Sequence, residues 1–242
     1  KTGVIEQLVT RSMLSGLPLD RIGVSTAAFD HFFLPLIHRK GFVAPNVIDM
    51  QRDAHAAGGF VMEPKAGLHE NVIVLDFKSL YPTIIRTFCI DPYSRLMAES
   101  DTVETPVGIK FSRTNNLLPE FIRDLMEQRQ MAKENHDPHL SQAIKILMNS
   151  FYGVMGSPGS RFYHADLPTA ITGTGQWILK SAIDFLEIKE YEVIYGDTDS
   201  VFVKLKDDEV KSYRDHSYEL AREINSFISH KLKIDFKVNS KL

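Results

Sequence analysis

The hexapeptide Tyr195-Gly196-Asp197-Thr198-Asp199-Ser200 constrains this chain more than any other stretch. It lies between two short apolar runs, Tyr191-Glu192-Val193-Ile194 and Val201-Phe202-Val203. Each run has strand length, and the Gly-Asp-Thr-Asp between them has the chemistry of a tight hairpin turn. Residues two apart in extended chain point the same way, so Asp197 and Asp199 are expected to present two carboxylates together at one end of a sheet. Carboxylates held that close repel each other, and a divalent cation relieves the repulsion. An Asp-rich surface turn is spelled the same way, so the metal reading gains force only from a third carboxylate elsewhere in the chain.

Asp76 supplies the candidate. Asn71-Val72-Ile73-Val74-Leu75-Asp76 is a continuous apolar run of strand length ending in an acid, the pattern of a central buried strand. Pro82 then suits the first turn of a helix over Tyr81 to Phe88. Asp76 is therefore expected at the carboxyl end of a strand, just before a helix N-terminus with free N–H groups. A metal can sit beside a phosphate at such a junction, although simple capping is the plainer use of an Asp there.

A cationic counterpart comes from two helices. Leu117 to Glu134 reads as one, with Phe121, Ile122, Leu125 and Met126 on its apolar side. Asp137-Pro138 breaks the pattern, and Leu140 to Met155 reads as a second, with Ile144, Leu147, Met148 and Phe151 inside. Two helices joined this briefly form an antiparallel hairpin. Arg129 and Lys133 share a face of the first, and Lys145, Asn149 and Tyr152 share a face of the second. Solvated surface charge is the usual fate of such residues. If the hairpin leans over the acids, its cations face whatever the metals hold.

The remaining stretches read as scaffold. Val4, Ile5, Leu8 and Val9 recur at helical spacing, with Ser15-Gly16-Leu17-Pro18 as the stop. Ser25 is the expected N-cap of a helix whose stripe of Phe29, Phe32, Phe33, Leu36 and Ile37 is assigned to the core. His31 and His38 share a face without other metal-ligand signals. Gln51 to Gly59 reads as a loop and Thr102 to Phe111 as a hairpin. Asp166 to Lys189 is a helix in which Gly173 and Gly175 permit close approach and Trp177, Ile178, Ile183 and Phe185 pack. A polar-faced helix from about Asp208 to His230 and a strand over Lys233 to Val238 are expected to follow.

Composition bounds the class. The 242 residues suffice for one large domain or two small ones, and an apolar share of 43 % supports a packed core. A net charge of −3 does not announce a nucleic-acid binder, but local patches matter more than the sum. The single cysteine, Cys89, rules out an internal disulfide and fits a reducing compartment. No run approaches the roughly 18 apolar residues of a membrane span. A start at Lys1 and an open end at Leu242 suggest a piece of something longer.

Separated strand-end acids facing Arg and Lys suit phosphoryl or nucleotidyl transfer by two metals about 3.5–4 Å apart, with Mg²⁺ favoured by oxygen-only ligands. The residues also resemble a known family. Asp76-Phe77-Lys78-Ser79-Leu80-Tyr81-Pro82-Thr83-Ile84-Ile85 resembles motif A of the family B DNA polymerases. Lys145 through Asn149-Ser150-Phe151-Tyr152-Gly153 resembles motif B, and Tyr195 to Ser200 resembles motif C. Arg86-Thr87-Phe88 and Ile90-Asp91-Pro92 are similar to bacterial members.

The resemblance implies an α+β fold, an antiparallel palm sheet packed on helices with a helical-hairpin fingers insertion. Residues 1–60 would be a helical connecting segment following a missing exonuclease domain, 61–111 and 157–242 the two parts of the palm, and 112–156 the fingers, with the thumb missing. Asp76 and Asp199 would be the principal ligands of two Mg²⁺ ions, Asp197 a weaker partner, and backbone groups from Phe77 to Leu80, Ser79 included, would hold a metal and the triphosphate. Tyr81 would exclude a ribose 2′-OH, Arg129, Lys133, Lys145 and Asn149 would bind the triphosphate, and Tyr152 and Gly153 would face the nascent base pair. The implied partners are primer-template DNA, deoxynucleoside triphosphates and, in the full-length protein, a sliding clamp. The implied location is the bacterial nucleoid in the cytoplasm, with no membrane. Without a duplex-gripping thumb, this piece alone is expected to be weak or inactive. Two rivals are a non-catalytic palm, which would have lost an acid, and a cyclase or primase, which would lack the Lys145-to-Gly153 motif.

Overall fold

The computed structural model describes residues 3–49, 58–206 and 209–240. The loop expected at Gln51 to Gly59 thus lies, up to Ala57, outside the described residues, as does Asp208. The described chain runs through helices α1 (Val4–Ser15) and α2 (Ser25–Arg39), strand β1 (Val72–Asp76) and helices α3 (Leu80–Phe88) and α4 (Pro92–Leu96). A hairpin of β2 (Thr102–Glu104) and β3 (Lys110–Ser112) precedes the long helices α5 (Leu118–Glu134), α6 (Pro138–Met155) and α7 (Asp166–Ile188). Strands β4 (Glu192–Asp197) and β5 (Ser200–Lys204) and helix α8 (Tyr213–Phe236) complete it. The result is a mixed fold of helices and antiparallel sheet, as expected. No helix among the described residues is long and apolar enough to cross a membrane.

The main sheet is three-stranded and antiparallel, in the order β1-β5-β4. The apolar run ending at Asp76 is therefore an edge strand, not the central one, and Val74 is 53 % exposed. Continuous apolar spelling cannot tell a doubly covered strand from an edge strand that is covered on part of one side. Segment 60–65 lies along the far edge, where Met62 N–H donates to the Gly196 carbonyl and Lys65 N–H to that of Ile194.

One apolar core joins the sheet to the helices. Its centre is α7, whose Leu167, Ile171, Ile178, Leu179 and Leu186 are essentially unexposed. Gly173 lies where Val107 would collide with any Cβ, whereas Gly175 faces Leu80, Tyr81 and Ile84 at ordinary contact distance. The aromatic stripe of α2 is core: Phe29 and Phe33 are buried among Phe151 and Phe162. Ser25 is the first residue of α2 and caps nothing with its side chain; Val24 holds the N-cap position. His31 and His38 are exposed.

Two further expectations fail for physical reasons. Lys233 to Val238 is no strand; α8 continues through Phe236. Leu220, Ile224, Ile228, Leu232 and Phe236 recur every fourth residue and face the core, and that register outweighs the local β-branched spelling. Val4, Ile5, Leu8 and Val9 form the expected helix, but none is buried, so their periodicity marks a helix and not a core face.

Candidate nucleotide and metal cleft

The antiparallel registers decide where the acids stand. Asp76 is opposite Ser200 across β1 and β5, and Asp197 is opposite the same Ser200 across β4 and β5. Thr198 and Asp199 make a two-residue turn, with Thr198 in the left-handed region at φ 52°. The Asp199 carbonyl accepts from Phe77 N–H at 2.8 Å, tying the turn to the end of β1. Asp76 and Asp199, far apart in the chain, thereby meet at one end of the sheet. The Ser200 hydroxyl lies 3.1 Å from Asp76 Oδ2 and 3.4 Å from Asp199 Oδ1, and its one proton can serve either. Burial, then the neighbouring Asp76 charge, pushes the Asp199 carboxyl above its usual range.

Asp197 departs from the expected pairing. The left-handed Thr198 breaks the extended geometry that would align it with Asp199. Its Oδ1 accepts from Thr198 Oγ1 at 2.8 Å and its Oδ2 from the Tyr195 hydroxyl at 3.3 Å, and it does not line the cleft. Among the described residues, no three His, Cys, Asp or Glu side chains converge as a metal group. Two carboxylates and a hydroxyl remain. These hard oxygen donors, with mutual repulsion to relieve, fit a divalent cation between Asp76 and Asp199.

Above the acids opens a cleft of about 560 Å³. Ser79, Leu80 and Tyr81 at the start of α3 form one side, and Ser79 turns the chain into the helix with a left-handed φ of 55°. Arg129 and Lys133 of α5 and Lys145, Asn149 and Tyr152 of α6 form the wall facing Asp76 and Asp199. The hairpin forms as the break predicts, with Asp137 capping α6 through Leu140 N–H and Pro138 in its first turn. Tyr81 and Tyr152 meet with ring centroids 4.8 Å apart. Burial, then Tyr152 and the charges of Asp199 and Asp197, pushes the Tyr81 hydroxyl up to about 12.

The cationic wall carries no internal neutralisation. Among the described residues, Lys78, Arg129, Lys133 and Lys145 form no ion pair with a carboxylate. The charge of Arg129 above all, then partial burial, then Lys78 and Lys145, pushes the Lys133 ammonium below its usual range. Arg129 reaches Ser79 Oγ only at 3.5 Å, and its buried Nε has no partner. Such a set of cations is chemically suited to an anion.

Besides Asp197, two expected residues stand outside the cleft. The Phe77 side chain is buried in the core, which leaves only its carbonyl for any ligand. Gly153 is exposed, with open space where a Cβ would be. Three residues gained importance only from the fold. Lys78 lies two positions past Asp76, a spacing that could have flagged it. Ser200 needed the strand register. Asp91, described below, gave no sequence signal beyond standing before a proline.

Carboxylates on one wall and unpaired cations on the other give the cleft a chemistry that suits a polyanion beside a divalent cation. The comparisons agree with that class. The profile of DNA polymerase family B matches residues 25–240. DNA polymerase II of Escherichia coli is 44 % identical over 211 residues, 85 % of this chain and 27 % of that protein. A DNA polymerase of Thermococcus gorgonarius is 32 % identical over 225 residues, 85 % of this chain and 29 % of that protein. The solved family B DNA polymerase of the hyperthermophilic archaeon Pyrobaculum calidifontis matches with a TM-score of 0.66 and 30 % identity, over 89 % of this chain and 31 % of that one. The chain spans under a third of the length of these relatives. It belongs to DNA polymerase family B.

Proposed function

We propose that this chain is the polymerase core of a template-directed DNA polymerase that adds deoxynucleotides to a primer 3′-OH with two Mg²⁺ ions. The observation that carries the reading is the opposition of Asp76 and Asp199 to the unpaired Arg129, Lys133 and Lys145 across one cleft, which Lys78 also lines. Asp76 and Asp199 would hold the metal, with the Phe77 carbonyl and Asp197 as weaker participants. Bound Mg²⁺ would supply Lewis acidity to the attacking hydroxyl and the leaving phosphate.

The chain's own residues do the rest. Arg129, Lys133 and Lys145 neutralise the triphosphate, and Asn149 and the backbone of Ser79 and Leu80 orient it. Tyr81 bears on the sugar, where a 2′-OH would meet its ring. Tyr152, packed on Tyr81, and Gly153, on the open side of α6, bear on the nascent base pair. In this reading residues 61–111 and 157–242 are palm, 112–156 are fingers, and 1–60 connect to a preceding domain. The partners are primer-template DNA and, in a longer protein of the bacterial nucleoid, a sliding clamp. These 242 residues alone would bind nucleotide but extend primers weakly, since they span only 27 % of a relative that acts on DNA as a whole.

Calorimetry with a deoxynucleoside triphosphate, with and without Mg²⁺, tests the site. Metal-dependent binding lost in Asp76→Ala and Asp199→Ala is expected. Metal-independent binding that survives both changes would refute the assignment. Template-dependent product from the longer enzyme separates a polymerase from a cyclase.

A further inference from the structure

Asp91 is the only fully buried carboxylate among the described residues, at 0 % exposure. It lies three residues beyond α3 and caps two helices at once. One oxygen, Oδ1, accepts from Ser94 N–H at 2.5 Å in the first turn of α4. The other, Oδ2, accepts from Leu117 N–H at 2.6 Å and Leu118 N–H at 3.0 Å, where α5 begins. A buried charge is costly unless hydrogen-bonded on all sides, and here backbone donors approach both oxygens. An amide cannot replace it, because its NH₂ would confront one of the two sets of donors.

Of the two capped helices, α5 supplies one wall of the cleft, and α4 follows directly on α3, whose first turn supplies the other. The α3–α4 corner continues from Ser79, Leu80 and Tyr81, and α5 carries Arg129 and Lys133. A helix advances about 1.5 Å per residue, so Arg129 stands roughly 16 Å from this anchor. A tilt of about 5° at the root would displace Arg129 by about 1.4 Å, enough to spoil its contact with a phosphate. We infer that Asp91 is a positioning residue for triphosphate recognition, fixing the root of α5 against the α3–α4 corner and thereby placing Arg129 and Lys133 opposite Asp76 and Asp199. The inference rests on the nucleotide reading of the cleft.

The test uses the complete polymerase that carries this sequence. In Asp91→Asn, at a temperature where the variant is fully folded, KM for the deoxynucleotide should rise about tenfold with primer-template affinity unchanged. A fallen melting temperature with an unchanged nucleotide KM would reduce Asp91 to a structural cap and overturn the inference. If Asp91→Asn does not fold, hydrogen exchange on the wild type decides, because coupling is reciprocal. Nucleotide binding should slow exchange at the Leu117 and Leu118 amides about tenfold, and no slowing would overturn the proposal. Arg129→Ala is run in parallel. An unchanged KM in that variant would remove the nucleotide reading itself, whatever Asp91 does.

Discussion

The ring of Tyr81, at the start of α3, lies against the ring of Tyr152 on α6, with centroids 4.8 Å apart and planes tilted by 49°. The contact joins the acid-bearing side of the cleft to the hairpin and holds the Tyr81 ring at the cleft, where the proposed function puts the sugar. Tyr81→Ala opens that space. In the complete polymerase, discrimination against ribonucleotides should fall on the order of 10²-fold, read as the ratio of kcat/KM values. Tyr81→Phe keeps the ring and should keep the discrimination. Unaltered discrimination in Tyr81→Ala would show that another group guards the 2′ position.

The acids should separate into two ranks. Asp76→Asn and Asp199→Asn should each lower kcat by about 10³-fold or more, because each removes a carboxylate facing the cleft. Asp197→Asn should cost clearly less, since its carboxylate is engaged by Thr198 and Tyr195. Single-turnover extension rates read the order directly. Equal losses at Asp197 and Asp199 would mean that the turn rearranges when metal binds.

The sequence revealed the elements more readily than their partners. Asp137-Pro138 marked the turn between α5 and α6 because an N-cap and a first-turn proline act locally. Asp76 and Asp199 were each legible as acids at strand ends, one closing β1 and the other in the turn before β5, but their rank over Asp197 came only from the resemblance. The rank of β1 in the sheet was not, since edge and centre strands share one alphabet when the exposed face is narrow. Asp197 shares the sheet end with Asp199 but lies outside the cleft lining, because the period-two rule stops at a left-handed residue, here Thr198. Asp91 was invisible as a double cap, because its second helix begins 27 residues later.

Under the proposed function the cation cluster trades stability for binding. Lys133 is held below its usual range chiefly by Arg129, so the free protein is strained by like charge. Because Lys133 is largely solvated, Lys133→Gln should raise the melting temperature only slightly, by about 1–2 °C. The same change should weaken triphosphate binding about tenfold. Combined with Arg129→Ala, the two losses should not add, since each removal relieves the other charge. Differential scanning calorimetry and nucleotide titration on the same samples check both signs. A drop in melting temperature would show that Lys133 has a stabilising partner.

Asp91 predicts an inverted acid response. Burial pushes its carboxyl up to about 6, and the N–H groups of Leu117, Ser94, Leu118 and Tyr93 only partly oppose this. An unfolded chain would release that proton near pH 3.8. Between these values the folded state binds the extra proton, so the contribution of Asp91 to stability grows as pH falls and is lost as pH rises through about 6. Most paired carboxylates do the opposite. Asparagine cannot titrate, so the stability gap between wild type and Asp91→Asn should widen by about 2 kcal/mol from pH 7.5 to about pH 4. Groups that titrate alike in both proteins cancel in the difference. Urea unfolding at stepped pH values measures it. A gap that narrows toward acid would mean that the folded protein holds Asp91 ionised more firmly than water does, with its backbone donors outweighing burial.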